Sequence, residues 1–123
     1  MKAWAGVAFK TSGISVTARN GWTSVYSYDY QLFNPWELTQ IASRAGVHFY
    51  VKANTRDDEF TPVFANERFL AVHSKAGGEK TIRLPRKAAC VTDLLTGEVV
   101  ARDADSFTAS FATPDTRLFG LSD

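Results

Sequence analysis

Residues 33–46 read "FNPWELTQIASRAG", a helix with both of its ends marked. Asn34 brings a side-chain oxygen to the free N–H groups of a first turn. Pro35 takes the first helical position, where a missing N–H costs nothing, and Glu37 stands three residues after the cap, as a capping box requires. Phe33 and Leu38 are spaced as a hydrophobic staple across that cap. Leu38, Ile41, Ala42 and Ala45 fall on one face of the helix and Thr39, Gln40, Ser43 and Arg44 on the other, so the first face is expected to be buried. Gly46 follows where a left-handed terminating residue belongs. One bounded helix in a chain that otherwise alternates like sheet predicts an α+β, mostly β fold.

Upstream, "GVAFK" and "GISVTA" flank a turn signal at Thr11 to Gly13, so residues 4–18 are expected to form a hairpin or two short strands. Asn20-Gly21 supplies the next turn, and "TSVYSY" reads as a strand. Downstream of the helix, "VHFYVKA" resumes in β character. Strand, helix and strand in that order predict a right-handed crossover that lays Ser24 to Tyr28 parallel to Val47 to Lys52. After the polar loop "ANTRDDEF" the grammar changes to short apolar runs parted by turns. Gly77-Gly78 and Thr96-Gly97 mark two hairpins and Thr113-Pro114-Asp115 a third turn. "SFTASFATPDTRLFGL" reads as a closing hairpin with Phe107, Ala109 and Phe111 on one face. The expected organisation is a short strand-helix-strand unit over residues 1–52, packed with an antiparallel β-sandwich or small barrel over residues 53–123.

Fourteen basic and thirteen acidic residues leave a net charge of +1, so no global field draws nucleic acid or an anionic membrane. The basic cluster "RLPRK", with Arg83, Arg86 and Lys87, reads as a solvated surface. Cys90 is the single cysteine, which excludes an intrachain disulfide and a paired-cysteine zinc site; its neighbours predict a buried, inert thiol. No apolar run approaches the roughly 18 residues a membrane span needs. "MKAWAGVAFK" is too short and too interrupted for a signal peptide. A chain of this sequence that is a complete gene product is therefore expected in the cytoplasm.

Glycoside cleavage needs two carboxylates facing each other across about 5–10 Å. Asp57, Asp58 and Glu59 are instead neighbours in one loop, a pattern of a solvated loop or a weak calcium contact. His48 and His73 lack a third metal ligand at fixed spacing and read as structural. Neither a phosphate-cradling glycine loop nor a nucleophile elbow occurs. No catalytic residue, metal site or cofactor is expected.

The unusual feature is aromatic density: Trp22, Tyr26, Tyr28, Tyr30, Phe33, Trp36, Phe49 and Tyr50 lie within one short stretch. Sugar rings present apolar C–H faces that stack on flat side chains, with nearby polar groups holding the hydroxyls. Phe33 belongs to the staple, and Tyr26 and Phe49 alternate into a core. Tyr28, Tyr30 and Trp36 remain as candidate carbohydrate-binding residues. Packing in a core or interface is the competing account of the same residues, and a different ligand a third.

The order "GWTSVYS", helix, "IASRAGVHFYV", "VFANERFLAVHSKAGGEKTIRLP" and "VTDLLTGEVV" resembles the C-terminal region of multidomain glycoside hydrolases of the beta-galactosidase type. There a catalytic barrel is followed by an amidotransferase-like α/β domain and a small all-β domain. The resemblance implies that the first fifty residues correspond to the end of the α/β domain and the remainder to the accessory β domain. The family's catalytic carboxylates sit in the barrel, so none carries over. The expected function is a non-catalytic accessory or interaction module of a carbohydrate-active protein. A carbohydrate-binding module using exposed aromatics and a small stand-alone hydrolase are the alternatives. A lead strand without its former neighbours leaves an open edge, which predicts a homodimer.

Overall fold

The computed structural model describes residues 13–55 and 58–123. The chain is α+β and mostly β, with one α-helix and two antiparallel sheets among the described residues. It divides into two compact units, one ending at Val47 and one running from His48 to Asp123.

In the first unit, β1 (Ile14–Ala18) and β2 (Thr23–Ser27) form an antiparallel hairpin in which Val16 faces Val25. Its turn is the Asn20-Gly21 pair: Gly21 takes φ +81°, and Arg19 N–H donates to the Trp22 carbonyl at 2.7 Å. Left-handed φ is cheap only for glycine, so this pair fixes where the chain reverses. The strand expected at "GVAFK" lies outside the described residues. A short 3-10 helix (Tyr30–Leu32) leads to α1 (Pro35–Arg44), where Asn34 Oδ1 accepts from Glu37 N–H at 3.0 Å. The helix ends as its Gly46 predicts: Gly46 N–H reaches the Ser43 carbonyl and Val47 N–H the Ala42 carbonyl, at 3.2 and 3.0 Å. Asn34→Ala is therefore expected to cost about 0.5–2 kcal/mol, read as a lower denaturant midpoint at unchanged slope. An unmoved midpoint would remove the cap from the account.

Two expectations for this unit fail. Residues 47–52 form no strand, and β2 pairs with β1 and not with them, so there is no parallel crossover. Val47 is consumed in closing the helix, and Tyr50 gives its carbonyl to Arg83 N–H at 2.7 Å, beside the other sheet. Nor is the apolar helix face the buried one. Leu38 is half exposed, and Glu37 is the buried residue of α1. With alanine at two of its four positions, the apolar stripe is too weak to dictate which side turns inward.

The second unit is a five-stranded antiparallel sheet in the order β3 (Val63–Ala65), β4 (Phe69–Ser74), β7 (Asp115–Ser122), β5 (Gly78–Asp93), β6 (Val99–Phe111). Alternation buries Leu70 and Val72 of β4, Ile82 and Leu84 of β5, and Phe107, Ala109 and Phe111 of β6. These join Ala88, Val91 and Phe119 in one core, so the sheet must curl for both halves of its long strands to reach the same interior. Phe107 meets Phe119 edge-on at 5.0 Å, although β6 and β7 are not ladder neighbours. The curl is placed by a break in the ladder. Between the pairs Arg83–Ser106 and Ala88–Ala104, the four residues 84–87 of β5 stand against one of β6, and Asp103 takes a left-handed φ of +48° nearby.

The Thr96-Gly97 hairpin forms between β5 and β6, as expected. The Gly77-Gly78 hairpin and the closing hairpin do not form, although the chain does turn at Thr113-Pro114-Asp115. β4 pairs with β3 and β7, so Gly77-Gly78 ends a crossing connection, and the Thr113-Pro114 turn leads β7 away from β6 to lie between β4 and β5. The two connections pack on each other: Thr113 Oγ1 donates to the Ala76 carbonyl at 2.7 Å, and a Cβ on Gly77 would stand 2.6 Å from the Ala112 oxygen.

Candidate functional site

Acids come first, because a hydrolase would need them. Asp57 lies outside the described residues. Asp58 accepts from Asn54 N–H and from the N–H and hydroxyl of Thr55, and these bonds, led by the Asn54 backbone, hold its carboxyl below the usual range. Glu59 is tied more tightly. It accepts from Ser74 Oγ at 2.8 Å, Ala76 N–H at 3.1 Å and Lys75 N–H, and pairs with Lys80 Nζ at 2.9 Å. Burial alone would raise its carboxyl, but Lys80 and the three other donors outweigh that and bring it down to about 2. Asp93 is likewise lowered, the Arg117 guanidinium and the Leu95 and Thr96 N–H groups overcoming its burial. A general acid must keep its proton near neutral pH. These three carboxyls are pushed the opposite way and fasten loops.

His48 Nε2 lies 2.8 Å from the Arg83 carbonyl and His73 Nδ1 2.8 Å from Thr116 Oγ1, so the two imidazoles serve different strands. No three metal-ligating side chains come together among the described residues. Cys90 is in a strand, as expected, but half-exposed and not buried; its neighbour Val91 is the fully buried residue. The basic cluster is a solvated, charge-matched surface: Arg86 pairs with Asp123 at 3.2 Å and Lys87 with Asp103 at 3.1 Å.

What is left is aromatic. Tyr28 and Tyr30 are 79% and 81% exposed, while Trp36, in the first turn of α1, is only half-exposed. Tyr28 and Tyr30 flank Asp29, whose Oδ1 caps the short 3-10 helix by accepting from Gln31 N–H at 2.9 Å. Two further aromatics join them. Tyr26, expected in the core, is 63% exposed, and Trp22 is 59% exposed. Within β2, Tyr26 shares its side of the hairpin with Ser24; Trp22 stands just before the strand and Tyr28 just after it. Ser15 and Thr17 of β1 stand opposite Tyr26 and Ser24, adding hydroxyls to that side. The inward set is instead Ile14, Val16 and Val25, all smaller, and this explains why Tyr26 is left outside. Gly13 makes room for Tyr28, whose Cε1 would lie 3.1 Å from a Cβ there. Arg19 lies over Trp22 with its Cζ 5.9 Å from the ring centre, which covers part of that ring. Parity within "TSVYS" carried the signal for Tyr26; the assumption that a strand's aromatics face the core hid it.

No family model, curated protein or solved structure matches the chain.

Proposed function

We propose that this chain is a non-catalytic accessory module that holds carbohydrate on the aromatic face of its β1–β2 hairpin. The observation that carries the reading is the exposure of Trp22, Tyr26, Tyr28 and Tyr30 within one short stretch, with the hydroxyls of Ser15, Thr17 and Ser24 on the same side of the hairpin as Tyr26. Flat rings for C–H stacking with hydroxyls beside them are the chemistry a saccharide requires. Resemblance to the accessory end of beta-galactosidase-type hydrolases points the same way, and the engaged state of Asp58, Glu59 and Asp93 leaves those three carboxyls unsuited to a general acid's role.

Each stacked ring contributes about 1–3 kcal/mol, by analogy with bases stacked on aromatics, and association costs offset much of the total. Binding is accordingly weak and polyvalent. Affinity electrophoresis through gels containing neutral polysaccharides tests it: the chain should be retarded by at least one of them, and Tyr26→Ala with Tyr28→Ala should restore its mobility. Retardation by none, or retardation that survives the double substitution, contradicts the proposal.

A homodimer is also proposed, since neither outer edge of the two-stranded sheet is paired among the described residues. Sedimentation at high micromolar concentration should show it, and a monomer throughout would dismiss it.

A further inference from the structure

The ladder break in β5 does more than bend the sheet. Where residues 84–87 leave the ladder, they open a cavity of about 430 Å³ within the second unit, its apolar part formed by Tyr50, Leu84, Pro85 and Leu121. That volume lies in the range of small-molecule sites, which typically combine apolar walls with a few convergent polar groups. Tyr50 is held in place from two directions. Its carbonyl accepts from Arg83 N–H at 2.7 Å, and its ring meets the His48 imidazole edge-on at 4.8 Å, the latter fixed in turn by the Arg83 carbonyl at 2.8 Å.

The polar rim selects the ligand. Arg86 and Lys87 already face Asp123 and Asp103, so the cavity offers no unmatched cation to a phosphate or a carboxylate. Glu67, also on the rim, has no ion partner among the described residues, and its carboxylate oxygens can accept hydrogen bonds from hydroxyls. Asn66 spends its Oδ1 on the N–H groups of Arg68 and Phe69, at 2.9 and 2.8 Å, which leaves its NH₂ as a fixed donor. One acceptor of O–H, one donor to oxygen and an apolar wall with an aromatic ring describe a neutral polyol with one C–H face. We propose that this cavity is a second saccharide site, taking a single neutral pyranose ring against Tyr50 with its hydroxyls on Asn66 and Glu67.

The site rests on the carbohydrate-binding reading but is separable from the hairpin. The full chain, ¹⁵N-labelled, is titrated with methyl glycosides of glucose, galactose and mannose, and amide shifts are followed. At least one glycoside should move Tyr50, Leu84 and Leu121. Asn66→Asp keeps the oxygen that caps the 66–69 turn and removes the amide donor; it should weaken that response about three- to tenfold, the worth of one hydrogen bond. Glu67→Gln at the exposed rim should do likewise, and serves if Asn66→Asp misfolds. Tyr28→Ala should leave the cavity shifts unchanged. Shifts confined to the hairpin overturn the second site and leave the first reading standing. Shifts confined to the cavity support the second site and contradict the hairpin, and shifts nowhere overturn both.

Discussion

Arg117→Met is expected to lower the unfolding free energy by about 3 kcal/mol, because it strands a buried carboxylate. Asp93 is 1% exposed, and Arg117 holds it through Nε at 2.9 Å and through Nη2. The same guanidinium donates to the Ser110 carbonyl at 2.8 Å and lies 5.5 Å from the centre of the Phe119 ring. Met keeps the stem's packing and removes these contacts together. Leu95 and Thr96 N–H groups still reach Asp93 Oδ1, which places the loss toward the low end for a broken buried pair. The pH dependence separates this cause from lost packing. Asp93 is lowered in the folded protein, so its contribution is present above the ordinary carboxylate pKa of 3.8 and fades as the pH falls further. The deficit of Arg117→Met should therefore shrink in acid. A deficit constant from neutral pH down to about pH 3 would show that packing alone was lost.

Glu59→Gln should make the second large change, again with a signature in pH. The carboxyl titrates near 4.5 when unfolded and at about 2 in place, so its stabilisation is whole above the unfolded value and lost as the pH falls toward the folded one. Its site is partly open to solvent, and with that screening allowed for, the effect at neutral pH is on the order of 2 kcal/mol. Denaturant midpoints of the parent should fall between about pH 5 and pH 2, with those of Glu59→Gln falling less and converging on them. Parallel curves would mean that Glu59 is not the group responsible. Asp58 shares the direction but stands in open solvent, so it is no rival source of so large a change.

Local chemistry was the most legible part of the sequence. Asn34, Pro35 and Gly46 act through their own backbone neighbours, and Asn20-Gly21 and Thr96-Gly97 turn the chain where two adjacent strands pair. Long-range pairing was not legible. Gly77-Gly78 and Thr113-Pro114 look like hairpin turns because the residues that permit a tight reversal also permit a crossing connection. Only the choice of β4 and β5 as partners of β7 distinguishes the two, and that choice is made by the shared core around Phe119. The break at residues 84–87 was hidden for a related reason. Pro85, Arg86 and Lys87 mark a bend, yet nothing local tells that the strand resumes after it and leaves a cavity behind. Tyr28 and Tyr30 could be singled out because no apolar alternation claims them; Tyr26 could not, because parity names a side of a strand without naming which side is covered.

Titration of the labelled chain with neutral oligosaccharides, followed by amide shifts and tryptophan fluorescence, tests the central claim most directly. The account predicts saturable shifts at Trp22, Tyr26, Tyr28 and Tyr30 at millimolar ligand, removed by Tyr28→Ala in a protein whose spectrum is otherwise that of the fold described. Unchanged spectra across a broad panel of sugars, or shifts at the four hairpin aromatics indifferent to Tyr28→Ala, would contradict it and return these rings to a role in packing.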